Sequence, residues 1–157
     1  MMYSFSLERD ALLLQLSAMQ PICSKRSPLD VTESILFQVS YRELILKATD
    51  LEISLQSSLP IESTLSESRT FLISGRRIYE IVRELSGLLT FSFLESGIQL
   101  TTSDGVSFTL AVREATDFPA FPERIENLMD CESAFLLSLF DKVGIVVPQN
   151  NATRALN

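Results

Sequence analysis

Histidine is absent from this chain, and cysteine and glycine are scarce. Without histidine there is no imidazole to act as a general base or to bind a metal ion. Cys23 and Cys131 lie far apart in the sequence, so they form neither a zinc motif nor a disulfide framework, and we expect two small buried thiols. The five glycines show neither spacing of a phosphate-binding loop. The sequence therefore predicts no catalytic residue, no metal site and no cofactor.

Long apolar runs are missing as well. No stretch approaches the roughly 20 residues that a membrane-spanning helix needs, and Glu8, Arg9 and Asp10 argue against a signal peptide. The chain has 157 residues, of which 46% are hydrophobic, enough for the core of one domain with a remainder. We therefore expect a cytoplasmic protein with no membrane contact.

Basic residues are also outnumbered: the chain has 13 lysines and arginines and 20 acidic residues, which gives a net charge of −7. An acidic chain argues against nucleic-acid binding, for which a basic surface is usual. The basic residues are nevertheless clustered, with Lys25 and Arg26 in a loop and Arg76, Arg77 and Arg83 in a predicted helix. A locally basic surface on an acidic body suits a protein that slides on DNA. Net charge therefore leaves DNA binding open.

The predicted elements follow the order β-α-β-β-β, and this order occurs twice. Alternating apolar residues predict the strands, and an apolar stripe over Arg9–Gln20 predicts the first helix. Asp104-Gly105 between two alternating runs is typical of a hairpin. We predict an α+β fold of two such units. The strands are expected at Tyr3–Leu7, Ser34–Ser40, Leu44–Ala48, Leu51–Leu59, Arg69–Ile73, Leu88–Leu94, Ile98–Thr102 and Val106–Val112.

The most informative tract is Phe71–Leu85, where a short strand leads directly into the second helix. Ser74 is placed to cap the helix N-terminus. Charged residues fall on one face, and the other face carries Ile78, Ile81, Val82 and Leu85. Arg76 and Arg77 occupy the first turn, where positive charge costs up to about 1 kcal/mol unless an anion is bound. The pattern favours phosphate binding, since helix N-termini already attract that group.

Simpler interpretations stand beside these. The arginine face could be a solvated surface, because Glu80 lies at helical neighbour spacing from all three arginines. Asp50 is expected to be a turn residue that bonds its own backbone. Phenylalanines 91, 93 and 108 are expected in the core rather than on a base-stacking surface.

A third unit begins after Pro119 and Pro122, with Ala134–Ser138 as a possible strand and Leu139–Val147 as a short helix. We predict one complete domain over residues 1–122, and a linker with the incomplete start of a second domain over 123–157. The chain would then be an N-terminal fragment. The alternative is a naturally short protein whose tail packs on the first domain.

Three motifs in a fixed order give the chain a family resemblance. They are TDLE after the third predicted strand, SGRRIYEIVREL after the fifth, and DFP at Asp117–Pro119. As an ordered set they resemble the bacterial sliding clamp, the β subunit of the replicative DNA polymerase. Near the end, Thr153–Asn157 resembles an arginine-Leu-Asn-Gly motif of that family's second domain, but it is one residue shorter and lacks the glycine. The register of Arg154 therefore stays open.

The resemblance implies a DNA-clamp fold in which the two units are related by a pseudo-twofold axis, with helices side by side and sheets outside. It implies a non-catalytic subunit that forms a head-to-tail homodimeric ring around duplex DNA without reading base sequence. The clamp tethers the polymerase, and a clamp loader opens it. In this family the first loop and the second helix contact DNA, which assigns Lys25, Arg26, Arg76, Arg77 and Arg83 to DNA binding.

Two further expectations follow from the resemblance. The family's last strand of the first domain meets the neighbouring subunit, which assigns Phe108 and Leu110 to a subunit interface. Gly105 and Ser107 stand where the family often has basic residues, so the interface should be more apolar. Partner peptides bind between the second and third domains, which are mostly absent from the predicted organisation. The competing hypothesis is a DNA-free acidic protein-interaction module that kept the clamp-like fold.

Overall fold

The computed structural model describes residues 3–24, 29–121 and 129–146. The chain divides into two compact units, residues 1–122 and residues 123–157. Three features singled out above, namely Lys25, Arg26 and the motif around Arg154, lie outside the described residues.

The described part of the first unit contains nine strands and two α-helices. Helix α1 spans Arg9–Cys23, helix α2 spans Gly75–Glu84, and a short 3-10 helix spans Asp30–Glu33. The strands are β1 Ser4–Glu8, β2 Ser34–Val39, β3 Glu43–Thr49, β4 Ser54–Pro60, β5 Glu62–Ser63, β6 Arg69–Ser74, β7 Leu88–Leu94, β8 Gly97–Thr102 and β9 Ser107–Leu110. They form two antiparallel sheets, in the orders β5-β1-β7-β8-β9 and β4-β3-β2-β6.

The two repeats exchange their first strands. β1 of the first repeat pairs with β7 of the second, with Phe5 opposite Phe91. β6 of the second repeat pairs with β2 of the first, with Phe71 opposite Phe37. Each sheet therefore combines one repeat's three-stranded meander with the other repeat's first strand. This arrangement confirms the predicted α+β fold of two β-α-β-β-β units.

The core lies between the two helices and the inner faces of the two sheets. Phe5 and Phe91 stack with ring centroids 4.7 Å apart, and both are completely buried, as is Phe37. α1 and α2 pack against each other, and their buried side chains are Leu12, Leu16, Met19, Ile22, Cys23, Ile78 and Val82. Phe93 and Phe108 are partly buried and pack against this core. The apolar helical stripes expected from the sequence are therefore the faces that the two helices turn toward the core.

The predicted strand over Leu51–Leu59 is wrong at its start, because β4 begins at Ser54. Asp50 Oδ1 accepts hydrogen bonds from the backbone N–H of Glu52 at 3.0 Å and of Ile53 at 2.7 Å, which confirms its turn role. Leu51 adopts a left-handed conformation with φ of 77° and exposes 50% of its surface. The alternation of apolar residues here resembles a strand although the first two side chains are exposed. β9 is likewise shorter than predicted and ends at Leu110.

The second unit contains helix α3, Ser133–Gly144. The predicted strand over Ala134–Ser138 is therefore wrong, since a short apolar run has no period that separates strand from helix. None of the α3 residues is buried. Cys131 is exposed, contrary to expectation, whereas Cys23 is buried. No helix among the described residues is long and apolar enough to cross a membrane.

Candidate nucleic-acid interface

The arginine-bearing helix α2 starts directly at the end of β6. Ser74 closes the strand, and its Oγ accepts a hydrogen bond from the backbone N–H of Arg77 at 3.4 Å, so the predicted N-cap is present. Gly75 then lies so close to the end of α1 that a Cβ there would stand 2.8 Å from both Cβ and Sγ of Cys23. A glycine at this point lets the start of α2 approach α1.

Helix α2 presents two different faces. Ile78 and Val82 are completely buried, and Ile81 and Leu85 pack against the core. Arg76, Arg77 and Arg83 are all exposed. The amphipathic pattern predicted from the sequence is therefore confirmed, and the three guanidinium groups lie on the solvent side of the helical layer.

Two of the three arginines have acidic neighbours on the same helix. Arg76 Nε lies 2.9 Å from Glu80 Oε1, and Arg83 Nε lies 2.9 Å from Glu84 Oε1. The hydrogen bond to Arg76, opposed by a smaller desolvation effect, lowers the pKa of Glu80, and Arg77 and Arg83 add to the lowering through their charge. Arg83 also lies 5.9 Å from the centre of the Tyr79 ring. Both arginines and both glutamates are exposed, so each ion pair contributes little to stability.

Arg77 differs from the other two arginines. Within the described residues, no hydrogen bond or ion pair holds its guanidinium group, and it lines a shallow depression of about 310 Å³ with Ser74, Arg76 and Glu80. The depression lies over the N-terminus of α2, where the helix dipole favours an anion. This first turn contains no acidic residue. Its chemistry suits a phosphate oxygen.

Charge is distributed unevenly between the helices and the rest of the chain. α1 and α2 together carry four arginines and three carboxylates, a net charge of +1, whereas the whole chain carries −7. α1 contributes only Arg9 and Asp10 to that count. The acidic excess therefore resides outside the two helices, and the helical layer is less acidic than the rest of the chain taken together, which favours the approach of a polyanion to the helices.

Arg9 is a residue whose role the sequence did not indicate. Its Nε donates to the carbonyl of Val82 at 3.0 Å, and its terminal guanidinium nitrogens bind the carbonyl of Arg83 and the carboxylate of Asp10. A positive group at the C-terminus of α2 satisfies free carbonyls and suits the helix dipole. The contact joins residues 73 positions apart, so no local pattern could have revealed it.

The predicted interface residues lie on β9, at one edge of the first sheet. Leu110 is only 4% exposed and belongs to the core, whereas Phe108 is half-buried. A groove of about 510 Å³ runs between β9 and α2, and it is lined by Ile73, Ser74, Arg77, Ile81, Phe108, Thr109, Leu110 and Ala111. The surface available to a partner here is Phe108, the groove and the free strand edge rather than the Leu110 side chain.

The residues that the structure describes contain no candidate metal site. No group of three histidine, cysteine, aspartate or glutamate side chains lies close enough together to hold an ion. Burial raises the pKa of the Cys23 thiol to about 12, and its Sγ donates only a weak, 3.9 Å contact to the Ser34 carbonyl. A thiol of this kind is a poor nucleophile at neutral pH.

Comparison with known proteins identifies the family. The family described as DNA polymerase III beta subunit, N-terminal domain, matches residues 3–122. This chain belongs to that family. The beta sliding clamp of Haemophilus influenzae is 31% identical to it over 154 residues, which cover 97% of this chain and 37% of the relative.

Solved clamp structures have the same fold. A sliding clamp from Pseudomonas aeruginosa bound to griselimycin superposes with a TM-score of 0.84 at 25% identity, covering 100% of this chain and 43% of that one. The Helicobacter pylori beta clamp bound to a DNA ligase peptide gives a TM-score of 0.80 at 23% identity, covering 96% of this chain and 42% of that one. The chain thus spans less than half the length of these relatives, and its fold is the clamp fold predicted from the three motifs.

Proposed function

We propose that this chain serves as the first domain of a bacterial sliding clamp, the processivity factor of the replicative DNA polymerase. Residues 1–122 would form that domain, and residues 123–157 would begin the next one. The observation that carries the proposal is the exposed arginine face of α2, which lies in a helical layer of net charge +1 on an acidic chain that belongs to the clamp family. The protein would be non-catalytic and cytoplasmic, and it would need no cofactor.

The mechanism we propose is topological. A head-to-tail dimer would enclose duplex DNA, so that affinity comes from encirclement and phosphate contacts can be few and weak. Arg76, Arg77 and Arg83, together with Lys25 and Arg26, would contact phosphates without reading bases. Arg76 and Arg83 can each leave their glutamate partner and bind a phosphate oxygen instead, since both ion pairs are exposed and therefore weak. Easily exchanged contacts permit sliding.

Ring closure would use the edge of β9. Within the described sheet its backbone groups are available on the side away from β8, and the groove beside Phe108 offers a recess of mixed apolar and polar lining for a side chain of the neighbouring subunit. Ser107 and Gly105 supply no charge, so the contact would be less steered by electrostatics. Arg77 lines the same groove, and it could serve both surfaces.

Partner binding belongs to the complete clamp. The Helicobacter pylori clamp has been solved with a DNA ligase peptide, and we extend peptide binding of that kind to the polymerase and clamp loader of this protein. The family resemblance places that cleft between the second and third domains. Polymerase and loader peptides that use this cleft should not bind the 157-residue chain.

The test of the DNA interface is the double variant Arg76→Ala/Arg77→Ala, measured for binding to a short duplex at low ionic strength and, in a complete ring, for loading. The slope of log affinity against log salt should fall by roughly 0.9 for each phosphate that the variant no longer binds. The weakening should not depend on base sequence, because no base edge is read.

Arg42→Ala/Arg113→Ala is the matched control, since it removes the same charge from outside the two helices. Equal weakening by the control would mean that only net charge matters. Unchanged DNA affinity in the Arg76/Arg77 variant, with the fold verified by circular dichroism, would favour the DNA-free acidic module.

A further inference from the structure

The internal repeat reveals a difference between two equivalent places in the first unit. We call them corners: each is the outer edge of a repeat's first strand, β1 or β6, where the chain returns after the repeat's last long strand. Ser6 in β1 lies three positions before the start of α1, and Leu72 in β6 lies three positions before the start of α2, so these two residues are equivalent. By the same count Ser4 is equivalent to Thr70. In both repeats the returning chain pairs with the outer edge of this strand. Ser6 lies opposite Glu62 of β5, and Leu72 lies opposite Arg113. The two corners therefore begin in the same way.

The first corner is closed by the chain itself. After Glu62, the backbone N–H of Thr64 donates to the Ser4 carbonyl at 2.9 Å, and the Ser4 N–H donates to Thr64 Oγ1 at 2.9 Å. Ser63 Oγ ties the segment to the β2–β3 turn through the carbonyl of Tyr41 at 3.0 Å. Leu65 then enters the core and is only 4% exposed. An extended segment with one large apolar side chain thus completes this corner.

The second corner stays open. Leu72 and Arg113 exchange backbone hydrogen bonds of 2.9 Å and 3.0 Å, but the chain then turns away through a bend. Because antiparallel hydrogen bonds alternate, the N–H and C=O of Thr70 point to the same outer edge as those of Leu72. Among the described residues, no hydrogen bond to the Thr70 backbone forms on that edge.

A cleft of about 410 Å³ lies where the equivalent of Leu65 would pack. Its lining residues are Arg69, Thr70, Phe71, Phe93, Leu94, Glu95, Ser96, Gly97 and Val112. Phe71 and Phe93 make an edge-to-face contact with centroids 5.5 Å apart. The Arg69 guanidinium lies 5.1 Å from the centre of Phe93 and 5.3 Å from that of Tyr3, and within the described residues it has no carboxylate partner. The cleft thus combines an apolar, aromatic surface, a cation and a free strand edge.

We propose that this corner binds an extended peptide of a partner protein, which adds antiparallel to β6 at Thr70. The peptide would place one large apolar side chain against Phe93 and Val112, and a carboxylate near Arg69. Glu95 also lines the cleft and repels a second carboxylate, so the acidic residue of the peptide must lie on the Arg69 side. The site lies wholly within the first unit, and it requires neither DNA nor a ring. It is separate from the cleft between later domains that the family resemblance implies.

The segment that fills the first corner supplies the probe. Arg113 already occupies the position equivalent to Glu62, so the probe begins one residue later. A peptide with blocked ends and the sequence of residues 63–68, Ser-Thr-Leu-Ser-Glu-Ser, should bind the 157-residue chain at one saturable site in calorimetry. Amide shifts in NMR should appear at residues 69–71, 93–97 and 112, and hydrogen exchange at the Thr70 amide should slow. The same peptide with leucine replaced by serine should not saturate.

Arg69→Gln should weaken binding about tenfold, corresponding to the loss of one charge-assisted contact. Arg42→Gln is the matched control, because Arg42 is also exposed and stacked on a ring, 5.3 Å from the centre of Tyr41. Several results would overturn the proposal. These are no saturable binding at millimolar peptide, equal binding of the serine peptide, equal effects of the two arginine variants, or shifts at Ser4 instead of Thr70.

Discussion

Replacing Gly75 with alanine tests the close approach of the two helices. The new Cβ would stand 2.8 Å from Cβ and Sγ of Cys23 and 3.3 Å from the Glu33 carbonyl oxygen, so α2 or α1 must shift. Overpacking of this kind costs about 1–3 kcal/mol. Alanine also lowers the conformational entropy of the unfolded chain, which stabilises the folded state by about 0.4–1 kcal/mol. The difference is a net loss of up to about 2.6 kcal/mol, and we expect Tm to fall by up to several degrees.

Gly144→Ala is the matched control, because Gly144 also lies in a helix and, among the described residues, no atom beyond its chain neighbours and its own helix backbone stands within 4 Å of the added Cβ. Its stability should be unchanged or slightly higher. Urea unfolding followed by circular dichroism measures both variants. In a double-mutant cycle, Cys23→Ala removes the sulfur contact, so the double variant should lose less stability than the sum of the single variants. Gly75→Ala as stable as Gly144→Ala would refute the inferred contact.

Three further predictions concern single residues. Arg9→Met keeps the aliphatic stem but removes the hydrogen bonds to the α2 carbonyls, so the free energy of unfolding should fall by about 1–3 kcal/mol. Asp10→Asn should change the free energy of unfolding far less. Leu51→Asn should raise the free energy of unfolding by about 0.5–1 kcal/mol, because asparagine tolerates a φ of 77° better than leucine. A lower free energy of unfolding would mean that the Leu51 side chain makes stabilising contacts despite its exposure. Cys131 should react with a thiol reagent at pH 8, while Cys23, with its pKa raised to about 12, should react only after unfolding; rapid reaction of two thiols in the native protein would contradict its burial.

The fold was predictable where local chemistry and periodicity agree. Ser74 before the amphipathic run marked the start of α2, and the apolar stripe of α1 marked its contact face. Leu51 was misassigned because alternation cannot reveal a left-handed turn fixed by Asp50. The apolar run around Ala134 was misassigned because every position is apolar or small, so neither period stands out.

The site was only partly predictable, for a different reason. The arginine face follows from the helical period, so its residues could be named in advance. Arg9 could not, because its bonds reach across 73 positions. Phe108 and Leu110 lie two positions apart and therefore share one face of β9. That Leu110 is buried while Phe108 is only half-buried depends on the elements packed beside each position, which alternation along the strand does not reveal. The open corner at Thr70 appears only when the two repeats are compared in space.

The exchange of first strands has a consequence for synthesis on the ribosome. Ser6 and Thr90 face each other in the same sheet although 84 positions separate them. At elongation rates of about 5–20 residues per second, β1 must wait roughly 4–17 s before β7 is made. Until then β1 can pair only with the two-residue strand β5, so Phe5 and Leu7 lack most of their sheet. A nascent chain that stops before Leu88 should stay sensitive to protease. The missing piece supplied in trans should restore resistance, because it contains β7, the strand with which β1 pairs along its whole length.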